Sequence, residues 1–454
     1  MRQSLILLLS LILSGSVISQ ELPSRLSMEE AIDFALENNR NAINAARDID
    51  AAKKQKWETT ASGFPQISAN FDYQYFIEQP VQVVPAEFFG GEAGEFQEVI
   101  FGTQQQVNAF VRLDQKIVDG TYLVALQSAR VFLDISKNAK TKTDLEIRKS
   151  VINAYGNVLL AEESVRILKK DISILEKNLN ETQKIYENGF EEEESVEQLQ
   201  ITLTSLKSNF NNADRLKEIA YKMLNIVLGV DIYHDLTLTD NLETLAEQNQ
   251  SLELLEMDND PSNNIDYIIA ENERKVNELK VKLEKSKALP QLSLFVNGGY
   301  QAFENNFTFF NNDQAWFGSS LVGVNLSVPI FSSGMRSAST QRAKINLDKS
   351  LTELEETEQR LKLEIESSKS DYKFALEDYQ NKKDNIALAE RIEQKNQTKF
   401  FEGVATSFEL RQAQTQLYNA QQELLQAMLD VINSKAALET VLNTPMINQK
   451  NQSR

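Results

Sequence analysis

The chain has 454 residues, with 47 Lys and Arg against 66 Asp and Glu, a formal charge of −19 at pH 7, one histidine and no cysteine. The acidic balance excludes a nucleic-acid surface, which needs concentrated basic residues, and the missing thiols exclude disulfides, a cysteine nucleophile and a lipid-bearing N-terminal cysteine. There is no Gly-rich phosphate loop and no His cluster, and His234 stands alone among Asp231, Tyr233 and Asp235 as a loop residue, so neither an enzyme nor a cofactor or metal site is expected.

Residues 1–19 combine Arg2, an apolar run from Leu5 to Leu13 and small residues up to Ser19, the plan of a secretory signal peptide. That run is too short to span a bilayer, and no later stretch reaches the eighteen or so apolar residues of a transmembrane helix. Any membrane-embedded part of the mature chain is therefore expected to be made of strands. A first helical stretch leads to Phe64-Pro65-Gln66. From Gln66 to Tyr75 the residues then alternate, with Ile67, Ala69, Phe71, Tyr73 and Tyr75 on one face and Gln66, Ser68, Asn70, Asp72 and Gln74 on the other, a strand period. Val107, Ala109, Val111 and Leu113 alternate likewise with Asn108, Phe110, Arg112 and Asp114. From Gly120 to Glu187 no proline occurs, which predicts a helix of about 100 Å at about 1.5 Å per residue, with Gly156 interrupting but not ending it. A turn at Gly189 and a return helix from Val196 to Leu228 follow.

The second half repeats this plan. Asn38-Asn39 reappears as Asn263-Asn264 and Pro65-Gln66 as Pro290-Gln291, an offset of 225; Gly120 matches Gly334, Gly189 matches Gly403 and Val227-Leu228 matches Val441-Leu442, an offset of 214. The difference of 11 falls between Pro65 and Gly120, and a tandem duplication is expected. Strand faces recur at Leu292, Leu294 and Val296, and at Val322, Val324, Leu326 and Val328. The long helix from Gly334 to Glu402 holds two heptad registers, Leu347, Leu354, Leu361 and Ala375 in one and Leu351, Ile365, Tyr372, Tyr379 and Ile386 in the other, which implies coiled-coil packing. Its return helix runs from Phe408 to Leu442. The boundaries read as signal peptide 1–19, first repeat 20–230, linker 231–262, second repeat 263–444 and polar tail 445–454.

Alternation alone fits a soluble sheet with one buried face as well as a membrane barrel. The connections favour the barrel: Ile77 to Thr103 and Phe303 to Ala315 are long, mixed loops, whereas the other ends of all four strands lead into helices. Four strands leave two open edges, which lipid does not tolerate, so copies must assemble if the strands lie in a membrane. A non-channel periplasmic or surface coiled-coil protein is the competing expectation. Trp57, in a helical stretch, reads as packing, and Trp316 beside Phe317 as a membrane-interface anchor.

These residues resemble the TolC-like outer-membrane efflux protein family. The likeness begins with Leu26-Ser27-Met28-Glu29-Glu30-Ala31, continues through Pro65-Gln66, Pro290-Gln291, Val328-Pro329-Ile330-Phe331 and Gly334, and ends with Gly403 through Gln421. The resemblance implies an α+β membrane protein: a homotrimer with a twelve-stranded barrel, four strands per protomer, in the Gram-negative outer membrane, and a periplasmic helical barrel. It would serve as the passive exit duct of a tripartite efflux pump or type I secretion system for small molecules, metals or proteins. Its partners would be the lipid bilayer, a periplasmic adaptor and an inner-membrane pump of the resistance-nodulation-division or ABC type. Carried over by position, the adaptor would meet Asn188, Gly189 and Phe190 at the first hairpin tip and Glu402, Gly403 and Val404 at the second. Glu409 and Gln412 fall where the family often carries two aspartates that ring the closed tunnel, with Ser195, beside Glu194, at the matching place in the first half. Two local readings stand beside these. Glu191 to Glu194 fit either a cation-attracting tunnel rim or a helix start, where the macrodipole favours carboxylates, and Thr406-Ser407-Phe408-Glu409 fits a capping box.

Overall fold

The computed structural model describes residues 24–257 and 260–444; the signal peptide expected over 1–19 and the tail 445–454 lie outside the described residues. In chain order the elements are β1 (Arg25–Leu26), α1 (Met28–Asn38), α2 (Arg40–Ala61), β2 (Gln66–Tyr75), β3 (Val81–Pro85), β4 (Phe96–Ile100), β5 (Gln105–Val118), α3 (Gly120–Glu187), α4 (Glu193–Leu228), β6 (Thr237–Leu238), α5 (Leu242–Gln248), α6 (Glu253–Glu256), α7 (Ile265–Ser286), β7 (Gln291–Glu304), β8 (Phe317–Ser327), α8 (Met335–Phe401) and α9 (Ser407–Leu442). The order helix, two strands of the four-stranded sheet, long helix, return helix thus occurs twice, with the small β3–β4 pair added in the first half. Helix α3 has 68 residues and α8 has 67. Gly156 lies inside α3 without breaking it, and a Cβ there would come within 2.6 Å of Leu429 Cδ1 on α9, so the glycine permits close helix packing.

Three expectations need correction. The return helices start at Glu193 and Ser407 rather than at Val196 and Phe408, because the extended cap residues Glu192 and Thr406 set the first turn earlier. Of the four glutamates expected to open the first return helix, only Glu193 and Glu194 occupy its first turn; Glu192 is the cap and Glu191 precedes it. The long first loop is not irregular throughout. Strands β3 and β4 pair antiparallel from Val81↔Ile100 to Pro85↔Phe96, with a short 3-10 turn at Ala86–Phe89 between them.

Contacts divide the chain into two units, each drawing on both halves of the sequence. The first contains 48–137 and 269–356, and its centre is a four-stranded antiparallel sheet in the order β2-β5-β7-β8. The second contains the described residues among 1–47, 138–268 and 357–454, and holds the tips and return helices of both hairpins. Its core gathers Ala31, Ile32 and Ala35 of α1, Val151, Tyr155 and Val158 of α3, Leu224 and Leu228 of α4, and Met428, Val431 and Ile432 of α9. On α8, Leu361, Ile365, Tyr372, Ala375 and Tyr379 are buried at intervals of four, seven, three and four, the seam that the heptads describe. Leu351, earlier in the same register, stays exposed.

One joint is built twice in this unit. Asn39 caps α2 by accepting from the Asn41 N–H (2.8 Å), while its amide donates to the carbonyl of Val227 at the end of α4 (2.6 Å). Asn264 does the same for α7, accepting from Asp266 N–H (2.7 Å) and donating to Val441 at the end of α9 (2.7 Å). Each bond satisfies a backbone group that a helix terminus leaves without a partner. The return helices end on left-handed residues at equivalent places, Gly229 (φ 84°) and Asn443 (φ 57°). A Cβ on Gly229 would sit 2.3 Å from the Asn38 carbonyl oxygen, whereas Asn443 reaches out and donates to the Asn263 carbonyl (2.9 Å).

Candidate functional site

In the sheet unit the register sorts the side chains onto two faces. Ile67, Leu113, Val296 and Val322 stand in one row across all four strands, and Leu294 pairs with Val324 and Leu292 with Leu326 beside them. Because successive side chains alternate, the neighbouring rows face the other way: Ser68, Arg112, Asn297 and Leu321, then Gln66, Asp114, Phe295 and Gly323. On that second face Arg112 donates to both oxygens of Asp114 (2.9 and 3.1 Å from Nε) and lies over the Phe295 ring, 4.9 Å from its centre. The first face carries almost no charge and lies open, with Val324 64% exposed. Strands β2 and β8 each pair on one side only, so the sheet has two free edges.

In the helical unit the two hairpin tips are built alike. Gly189 takes φ 76° and Gly403 φ 73°, the left-handed conformation in which glycine avoids a Cβ clash. At the first, Gly189 N–H donates to Tyr186 (2.8 Å) and Phe190 N–H to Ile185 (3.1 Å); at the second, Gly403 N–H donates to Phe400 (3.0 Å) and Val404 N–H to Lys399 (2.8 Å). The residue after each glycine is thereby held outward, with Phe190 84% and Val404 73% exposed. The polar residues before the glycines fit the turn: the Asn188 side chain donates back to the Lys184 carbonyl (2.6 Å), and Glu402 continues the last helical turn.

The four residues expected at the gate divide three to one. Glu194, Glu409 and Gln412 are exposed, whereas Ser195 is buried and its hydroxyl donates to Glu191 (2.7 Å). The capping box is formed. Glu409 accepts from the Thr406 N–H (2.8 Å) and hydroxyl (3.1 Å), and these bonds hold its carboxyl below the usual glutamate value. Glu194 accepts from Gln198 (2.8 Å), and Gln198 in turn accepts from the Ser407 hydroxyl (3.4 Å), so a polar chain links the starts of both return helices. Among the described residues no group of three His, Asp or Glu side chains is placed to hold a metal, and no helix is long and apolar enough to cross a membrane.

Comparison with known proteins adds the deciding observation. The family model for the outer membrane efflux protein matches residues 262–444. The probable efflux pump outer membrane protein TtgC of Pseudomonas putida is 23% identical over 433 residues, covering 94% of this chain and 85% of that protein. The outer membrane protein TolC of Vibrio cholerae is 22% identical over 421 residues, covering 92% and 91%. Among solved structures, CusC superposes with a TM-score of 0.73 at 17% identity, covering 92% of each chain, and VceC from Vibrio cholerae with 0.70 at 16%, covering 91% and 95%.

Over residues 262–444 the chain matches the outer membrane efflux protein family, and over most of its length it resembles TolC-like outer-membrane proteins. These relatives are outer-membrane proteins, TtgC being named for an efflux pump, and the solved structures share the fold of this chain. Two features of this TolC-like chain are not evident from strand alternation. Large rings on the strands lie where neighbouring strands carry glycine: a Cβ on Gly299 would meet Phe110 at 2.7 Å, and one on Gly323 would meet Phe295 at 2.5 Å. Gly299 and Gly323 in strand patterns are the signal for it, since a strand glycine marks a close approach. The second feature is an aromatic cluster in which Tyr73 on β2 meets Phe307 and Phe309 of the β7–β8 loop edge-on, at 5.8 and 6.1 Å, and Phe309 is buried against Val107 and Ala302. Trp57 differs from its expected packing role, being 62% exposed, with an edge contact to the Phe64 ring (6.1 Å).

Proposed function

We propose that this chain is the outer-membrane channel subunit of a tripartite efflux pump or type I secretion system, working as a homotrimer whose three sheets close a twelve-stranded barrel. The observation that supports this most is the sheet itself, with one nearly uncharged open face and two unpaired edges. An open edge in hydrocarbon leaves backbone groups without partners, at several kcal/mol each, and closure by copies removes it. In that barrel the row Ile67, Leu113, Val296 and Val322 faces lipid, and the row with Arg112 and Asp114 faces the lumen. The tandem repeat, 20–230 and 263–444 about a linker at 231–262, supplies equivalent edges and hairpins, and the doubled asparagine joint supports it.

The outward residues at the tips, Asn188, Gly189, Phe190, Glu402, Gly403 and Val404, would receive a periplasmic adaptor that couples the duct to an inner-membrane pump of the resistance-nodulation-division or ABC type. Glu194, Ser195, Glu409 and Gln412 would set the gate, with Ser195 acting from within the packing rather than from the tunnel wall. Relatives named for efflux of toluene and of antibiotics support small organic molecules as the first export class to test, ahead of metals and proteins. The test is fractionation with cross-linking, followed by planar-bilayer recording. A trimer in the outer membrane that conducts is expected; a monodisperse soluble monomer without detergent overturns the reading.

A further inference from the structure

A cavity of about 290 Å³ opens in the helical unit where α3, α4, α8 and α9 meet, and two carboxylates line it from different hairpins: Asp171 of α3 and Glu393 of α8. Around them stand Tyr418 and Gln414 of α9, while α4 contributes only neutral residues such as Thr202 and Asn209. Charged neighbours do little to stabilise the ionised forms. Lys170 favours ionised Asp171 only through space, and Lys207 of α4 is engaged with Glu176 at 2.7 Å. Burial pushes both carboxyls up, and the Asp171 charge pushes Glu393 up further; the Tyr418 phenol is pushed up as well and stays neutral. The Gln414 amide opposes this in part by favouring ionised Glu393, yet its carbonyl oxygen Oε1 is buried and accepts from no donor among the described residues. A buried acceptor without a donor is the group a protonated carboxyl would satisfy.

We propose that Asp171 and Glu393 form an acid-tightened latch between the two helical hairpins. With a proton on the pair, a neutral carboxyl donates to Gln414 Oε1 and the cavity holds at most one charge, so α3 and α8 pack together. With both ionised, two like charges share a low-dielectric cavity and the hairpins loosen or take up water there. The sign follows from the raised carboxyls. The packed state is fully stabilised below the ordinary values, 3.8 for Asp and 4.5 for Glu, and loses that stabilisation as pH rises through the raised values. In the channel such a latch would hold the periplasmic end closed more firmly in acid. That consequence rests on the proposed function, whereas the latch rests on packing within one chain.

The test is hydrogen exchange of the full-length protein in detergent at pH 5 and pH 7.5, corrected for intrinsic rates, which reads packing whether or not the channel conducts. Amides flanking Asp171 and Glu393 should exchange about tenfold more slowly at pH 5, which corresponds to about 1.4 kcal/mol of added resistance to local opening. The nearly isosteric pair Asp171→Asn with Glu393→Gln should be slow at both pH values, single Glu393→Gln should lose most of the dependence, and Tyr418→Phe should keep it. Absence of pH dependence at these amides in the wild type, or its full retention in Glu393→Gln, overturns the latch.

Discussion

Replacing Val322 by arginine tests the assignment of the sheet faces. Val322 lies five residues before Ser327, the end of β8, and pairs with Val296 in the row that continues through Leu113 to Ile67. Five residues at about 3.4 Å per residue span about 17 Å, and a strand tilted by about 45° brings that to a depth of about 12 Å. The apolar band of an outer-membrane barrel is about 25 Å tall, so in the proposed barrel Val322 would sit near its middle, where arginine costs about 2–4 kcal/mol. Val324, three residues from the end, lies about 7 Å deep by the same reckoning, and Val324→Arg should fall in the lower part of that range. Asn325 pairs with Ser293 on the opposite face, so in the proposed barrel Asn325→Arg would place its charge in the aqueous lumen at little cost. The assay is reversible urea unfolding from lipid vesicles, with the fraction of heat-resistant trimer as a second readout. Equal losses at Val322 and Asn325 would refute the faces, and a larger loss at Asn325 would invert them.

Other outcomes follow from the helical unit and the second tip. Tyr155 is fully buried, and its single hydroxyl proton is shared between the Leu26 carbonyl (3.0 Å) and Asp240 (2.9 Å), which also holds the Met28 N–H (2.6 Å); Tyr155→Phe should therefore cost about 1–3 kcal/mol in urea unfolding and expose β1 to limited proteolysis. Gly229→Ala should cost at least about 1–3 kcal/mol, because it adds a Cβ 2.3 Å from the Asn38 carbonyl at a positive φ, whereas Gly90→Ala, with open space around it, should show backbone strain alone. Glu409→Gln should keep the first turn of α9 protected in hydrogen exchange while lowering cation selectivity in planar bilayers, and Glu409→Ala should lose both. Since the Glu409 carboxyl is held below its ordinary value, its capping bonds should persist as pH falls past 4.5 and be lost only at more acidic pH, read as fraying of that turn.

Much of this fold is legible because long periodic segments leave little freedom. The strand alternation at Ile67, Ala69 and Phe71, and the seven-residue spacing of Ile365, Tyr372 and Tyr379, specify a face through spacing alone. The β3–β4 hairpin is hidden because five residues such as Val81-Gln82-Val83-Val84-Pro85 carry too few periods to separate from a loop, and the flanking prolines and glycines read as turn punctuation. The seam position Leu351 misleads for a different reason. A heptad shows that a side chain seeks a partner, not whether one chain supplies it, and in this protomer Leu351 stays exposed. The latch residues are illegible altogether, since Asp171 and Glu393 are 222 positions apart and look like ordinary surface acids until the hairpins bring them to one cavity.

Glu409 shows why a local and a functional reading of one residue need not compete. A capping box asks for an acceptor at the third helical position, and glutamine meets that demand as well as glutamate. A cation-selective ring asks for charge, which glutamine lacks. The observed bonds from Thr406 serve the cap and, by lowering the carboxyl, also keep it ionised. Exposure leaves that charge facing solvent rather than neutralised within the fold. The same logic covers Glu193 and Glu194, which the α4 macrodipole favours at the helix start without removing their field from the tip. Local helix chemistry therefore places exposed carboxylates where the hairpins turn, and the proposed cation-attracting entrance would require glutamate at position 409 where glutamine would have folded equally well.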